Sequence, residues 1–132
     1  MKHSVTLTIM SLLSLLLLTF HLAEDIVRGF EPGKVSTMWG VLIMVVWLYG
    51  TLVLAGRRWG YVITLLGSLV GVSIPFFHMM GPGGVLSGDF YFVWTLLALG
   101  VTALFSFILS VRGLWSLKGP SRPSNTPPSR PS

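Results

Sequence analysis

Most of the reactive chemistry in this chain is gathered in His21, Glu24, Asp25 and Arg28. They stand at i, i+3, i+4 and i+7, which on a helix is one continuous stripe. An imidazole followed three residues later by a carboxylate can share one metal ion, and helical bundles use the related Glu-x-x-His spacing for that purpose. A second imidazole, His78, closes another apolar stretch and is followed by Met79 and Met80. His21, Glu24 and His78 therefore form the expected metal-ligand set, with Asp25 and Arg28 outside it, Asp25 orienting an imidazole. Imidazole with carboxylate suits zinc, and imidazole with thioether suits copper. His21 and His78 alone could also be the two axial ligands of a haem b lying between helices. The plain alternative is interfacial: His21 bonded to a backbone carbonyl, with Glu24 and Asp25 in headgroup water beside Arg28.

Other chemistries are excluded. The chain has no cysteine, which removes disulfides, thiol catalysis, Cys-ligated zinc and iron–sulfur clusters. It contains no His-Glu-x-x-His, no Gly-x-Ser-x-Gly and no dinucleotide fingerprint. No substrate pocket can be named from the residues, so catalysis is not expected. Small multidrug exporters place an acid in the middle of their first span. Here the middle of that span is Leu and Ser, which counts against proton-coupled export.

The elements that must carry these residues are legible as apolar runs. They cover about 5–26, 35–55, 61–80 and 90–111, each near the ~20 residues that cross a bilayer as a helix. The chain is 52% hydrophobic and only 10% charged over 132 residues. A soluble domain usually carries about 25% charged residues and could not bury four such runs in so short a chain. The expectation is an all-α integral membrane protein: four transmembrane helices in an up-down bundle spanning residues 1–115, multi-pass in the cell membrane.

Charge orients the bundle. Of nine Lys and Arg, seven fall on one side: Lys2, Arg57, Arg58, Arg112, Lys118, Arg122 and Arg130. All four acids, Glu24, Asp25, Glu31 and Asp89, fall on the other with Arg28 and Lys34. By the positive-inside bias the first side is cytoplasmic, so both termini are expected inside and the His/carboxylate stripe outside. The net charge of +5 is then a topology signal and a match to anionic lipid headgroups, not a mark of nucleic-acid binding. Cleavage of the first run as a signal peptide is not expected, because the best site, after Ala23, would put His21 where a small residue is wanted.

Smaller signals refine the picture. The helix carrying the stripe is expected to run to Arg28 and stop at Gly29. Pro32-Gly33 marks a turn, and Gly56-Arg57-Arg58 a tight hairpin. Gly67 and Gly71 are set for close helix packing, inside the chain or in a homodimer. Pro75 should loosen its helix. Gly81–Gly88 reads as a mobile connection, and Asp89 as a helix cap. From about residue 116 to 132 the composition turns to Pro, Ser and Arg, which predicts a disordered tail. The functional expectation is a small membrane protein with an extracytoplasmic cluster that binds a transition metal or haem. The alternative is a non-catalytic accessory subunit docked in a larger membrane complex.

Overall fold

The computed structural model describes residues 2–29, 34–80 and 90–119. The expectations for Pro32-Gly33, Gly81–Gly88, Asp89 and the tail beyond 119 lie outside the described residues. Within them the chain is all-helical: α1 (Lys2–Arg28), α2 (Lys34–Leu52), α3 (Arg58–Met80) and α4 (Phe90–Ser116).

Each helix ends where its sequence changes. α1 runs through the His21–Arg28 stripe, and Gly29 stops it with φ 71° while its N–H donates to the Ile26 carbonyl. A left-handed residue at that position suits glycine, which has no Cβ to clash. α2 ends at Leu52, earlier than the apolar run to Ala55. The Val53 and Leu54 amides both reach back to the Tyr49 carbonyl, the second over a wider i→i−5 span, and the chain leaves the helix there. Gly56, with φ 75°, completes that turn, and α3 begins at Arg58, earlier than expected. The fold-back is tight enough that a Cβ on Gly60 would collide with the Leu54 carbonyl. α4 continues past residue 111 to Ser116.

Contacts between named residues set the helix directions. Leu22 of α1 lies against Gly40 of α2, and Trp47 of α2 reaches Ser11 of α1. Gly50 and Ile63 meet where α2 turns into α3. Pro75 of α3 lies against Gly100 of α4, and Tyr61 against Gly113. Each successive helix therefore runs antiparallel to the one before. The closest packing is between α3 and α4 and between α1 and α4, with α2 laid against α3 and α1. α3 is helical throughout despite Pro75, whose ring occupies the space that Gly100 leaves.

The interior is inverted relative to a water-soluble bundle. Leu15, Leu18, Trp47 and Leu99 form a small apolar core. Ser11, Ser14, Thr51, Thr64, Ser68, Ser106 and Ser110 are buried beside it. The outside is a nearly continuous sheath of Leu, Ile, Val, Phe and Trp. A soluble monomer rarely exposes so large an apolar surface, whereas lipid matches it and small residues inside let helices approach. Three helices, α1, α3 and α4, are long and apolar enough to cross a membrane. The apolar part of α2, Thr37–Leu52, is shorter.

Trp47 is the centrepiece of the packing. It is 1% exposed and lies on Gly67, where any Cβ would run into its ring. A Cβ on Gly71 would approach Ala103 at 2.9 Å and Trp47 at 3.4 Å. The glycine pair thus makes its close approach within the chain, to α2 and α4. Trp47 Nε1 donates to Ser11 Oγ at 2.7 Å, and Ser11 bonds Thr51 Oγ1 at 2.7 Å. The indole is therefore buried with its one donor satisfied, as a buried Trp requires.

Candidate metal centre

The antiparallel arrangement brings the C-terminal ends of α1 and α3 and the start of α4 to one end of the bundle. His21 sits there on α1, 2% exposed, and His78 on α3, half-buried. Their rings meet edge to face with centroids 4.9 Å apart. Phe92 of α4 closes the third side, 5.4 Å from His21 and 5.6 Å from His78. The Arg28 guanidinium lies over the Phe92 ring at 5.3 Å. A cation on an aromatic face is attracted by the ring quadrupole, so Arg28 is drawn to Phe92 next to the imidazoles.

Asp25 joins the imidazoles. Its Oδ2 is 3.4 Å from His21 Nε2. One donor atom from each of His21, Asp25 and His78 can be chosen so that all lie within 4.8 Å of one another. Glu24, which the spacing made the expected carboxylate ligand, turns instead toward α4, where its Oε2 accepts from Thr95 Oγ1 at 3.2 Å. The physical reason is angular. Positions i+3 and i+4 lie on opposite flanks of the line through position i, about 100° apart. The flank facing α3 here belongs to Asp25, and the flank facing α4 to Glu24.

The ring nitrogens of the two imidazoles differ in their partners. His78 Nδ1 donates to the Ile74 carbonyl at 2.9 Å, one turn back on its own helix. That bond fixes the proton on Nδ1 and leaves the Nε2 lone pair free, the usual way a ligating histidine is oriented. Neither ring nitrogen of His21 makes a hydrogen bond among the described residues, although both are buried. A buried polar atom left so is unusual and costs about 1–3 kcal/mol.

Distances discriminate between ligands. Zinc holds nitrogen and oxygen at about 2.0–2.2 Å, so tetrahedral donor atoms lie about 3.4 Å apart and two ligating imidazole centroids about 5 Å apart. The His21 Nε2–Asp25 Oδ2 distance of 3.4 Å and the 4.9 Å between the imidazole centroids are near those values, while the full set of three donors lies within 4.8 Å and would have to draw in around an ion. Two imidazoles on opposite faces of one iron need centroids about 6 Å apart with a porphyrin between them, taking a similar metal–nitrogen bond. Rings in edge contact leave no such gap, so the pair does not fit haem. Met79 and Met80 are 60% and 71% exposed and do not turn inward to the imidazoles. The Met44 side chain lines the adjoining cavity, and its thioether accepts weakly from Thr19.

That cavity, about 340 Å³, lies between α1, α2 and α3, with His21, Asp25 and His78 at its polar end. Leu18, Ile43, Val70 and Ile74 form apolar walls. The residue pattern gives no signal for this space, because it depends on how α1, α2 and α3 pack together. Compared with protein-family models, curated proteins and solved structures, the chain shows no match. The site must be read from its own geometry.

Proposed function

We propose that this is a multi-pass protein of the cell membrane that holds a divalent transition metal, zinc or copper(II), at its extracytoplasmic face. The observation that carries the reading is the convergence of His21, Asp25 and His78, with both His21 nitrogens buried and without a hydrogen bond among the described residues. Two imidazoles and one carboxylate are a borderline donor set suited to zinc, copper(II) or nickel rather than to magnesium or calcium. Three protein donors leave a position for water or an external ligand, as in exchangeable rather than closed sites. The 340 Å³ cavity gives that position room.

In this reading all four helices span the bilayer. α2 is 19 residues long, about 28 Å at 1.5 Å per residue, which the short hairpin and a slightly thinned bilayer accommodate. Arg57, Arg58, Arg112 and Lys118 stand at the cytoplasmic end, with both termini, by the positive-inside bias. Trp39, Trp94, Trp59 and Trp115 are all more than half exposed, as rings at the two headgroup levels are. Single cysteines introduced at positions 58 and 87 of this Cys-free chain test the orientation. An impermeant thiol reagent should label 87 and not 58 from outside; the reverse pattern inverts the map.

A second reading has its own observation. The two imidazoles, Phe92 and Arg28 form one stack, and such a stack can serve packing alone in an accessory subunit of a larger membrane complex. Metal titration of the purified protein separates the two. One zinc or copper(II) ion per chain, with affinity at least 100-fold weaker in both His21→Ala and His78→Ala, supports the metal centre. Wild-type protein that takes up neither ion leaves the packing role.

A further inference from the structure

The opposite end of the bundle carries a second cavity, about 360 Å³, between the start of α3 and the end of α4. Its rim is basic, formed by Arg58 and Lys118. Its walls are apolar, from Val62, Leu65, Leu114 and Trp115. Both cations are exposed, and neither has an ion pair among the described residues. The described acids, Glu24 and Asp25, lie at the other end of the bundle. Arg58 also opens α3, so an anion at the rim would face the positive end of that helix dipole.

From this we infer that the cleft is a binding site for one anionic glycerophospholipid, its phosphate between Arg58 and Lys118 and the upper part of an acyl chain along Val62, Leu65 and Leu114. Charge complementarity selects the headgroup, and the apolar walls select a lipid over a free phosphate. The Trp115 ring, 70% exposed beside the cleft, has the amphipathic character of residues that sit at headgroup level. Basic pockets between transmembrane helices hold anionic headgroups in this way. Neither the metal reading nor the orientation of the bundle is needed for this assignment.

At roughly fivefold per basic residue near the surface, the pair should favour an anionic over a zwitterionic lipid by about 30-fold. The test is native mass spectrometry of the full chain released from micelles that contain equal phosphatidylglycerol and phosphatidylcholine of identical chains. Selective retention of one phosphatidylglycerol, lost in the Arg58→Gln/Lys118→Gln double variant and kept in Arg57→Gln, supports the site. Arg57 neighbours Arg58 but does not line the cleft, so loss of selectivity in Arg57→Gln as well would reduce the effect to general surface charge and overturn it. Equal retention of the two lipids by the wild type overturns it outright. Glycerol phosphate should fail to displace the lipid; displacement at similar concentration would make this a free-anion site instead. Should the double variant not fold, Trp115 decides: its fluorescence should be quenched more by chain-brominated phosphatidylglycerol than by the phosphatidylcholine analogue, and equal quenching refutes the site.

Discussion

Two polar layers cross this bundle, and they treat their polar atoms in opposite ways. In the layer around Trp47 four buried hydroxyls, those of Ser11, Ser14, Thr51 and Ser68, are closed, although Ser106 and Ser110 on α4 are not. Ser11 accepts from Trp47 and bonds Thr51, Thr51 donates to the Trp47 carbonyl, and Ser14 and Ser68 donate one turn back along their own helices. In the layer at the acidic end, both His21 nitrogens are buried without a hydrogen bond among the described residues, beside a cavity. Leu15, Leu18 and Leu99 pack with Trp47 in the apolar core. A closed layer fixes helices; an open one keeps donor atoms available to something that arrives. On the reading proposed above, stability belongs to the first and ligand binding to the second, and each can be attacked separately.

The largest effect should come from breaking the closed layer. Trp47→Ala removes a fully buried indole and should destabilise the fold by about 3–5 kcal/mol, read as a lower unfolding temperature in detergent. Gly67→Ile attacks the same contact from α3, since its side chain must displace the Trp47 ring, and should cost a few kcal/mol as overpacking. The double variant should be more stable than the sum of the two losses, because the cavity left by Trp47 admits the new isoleucine. Strict additivity would mean that the ring and the glycine do not share this space. Metal affinity per folded molecule should change little in Trp47→Ala, because the indole holds none of the donor atoms.

The next effect sharpens the open layer. Asp25→Asn should weaken zinc binding about 10–100-fold, the scale on which a ligand's or its partner's loss is felt. Glu24→Gln should leave affinity within a few-fold, since that carboxylate is engaged by Thr95. Isothermal titration of both variants gives the answer; a larger loss in Glu24→Gln would restore Glu24 as the ligand and reassign Asp25 to support.

A pH series separates the layers a third way. Metal competes with protons for imidazole, so binding should hold at neutral and higher pH and weaken as pH falls through the range of about 5–8 in which imidazoles charge. With two imidazole ligands the loss approaches two protons per ion, up to about 100-fold in affinity per pH unit at the acid end. Stability that rests on the Trp47 layer contains no titrating group and should not follow that curve. A pH-independent affinity would exclude histidine ligands.

How much of this was legible in the residues differs by feature. The helices follow from apolar runs and the stop at Gly29, and their errors of a few residues fall where backbone bonds, invisible in sequence, shape the ends near Tyr49 and Ser116. The approach of His21 and His78 was readable because both imidazoles lie toward the C-terminal ends of helices that run in the same direction. The choice between Glu24 and Asp25 was not, because it depends on how far α1 rotates about its axis against α3 and α4. Gly67 and Gly71 announced a close contact but not its partner. Trp47 carried no signal of its own, since a tryptophan in a span reads equally as interface or core. The basic cleft was seen only as charge favouring anionic headgroups. Its shape comes from the early start of α3 and the extension of α4 past the expected end.

The smallest effect tests the comparison at its weakest point. Ser106 and Ser110 lie in the closed half of the bundle, fully buried on α4, yet neither Oγ has a hydrogen-bond partner among the described residues. If the inner layer owes its stability to satisfied hydroxyls, these two contribute nothing through theirs. Ser106→Ala should therefore change the unfolding free energy by about 0.5 kcal/mol or less, or stabilise slightly, because it removes a buried polar atom without breaking a bond. Ser11→Ala, by contrast, strands the Trp47 donor and removes the Thr51 partner, and should cost about 1–3 kcal/mol. A loss in Ser106→Ala as large as that in Ser11→Ala would show that α4 has a polar partner at this depth, such as a bound water. The line between an open and a closed layer would then have to be redrawn through the middle of the bundle.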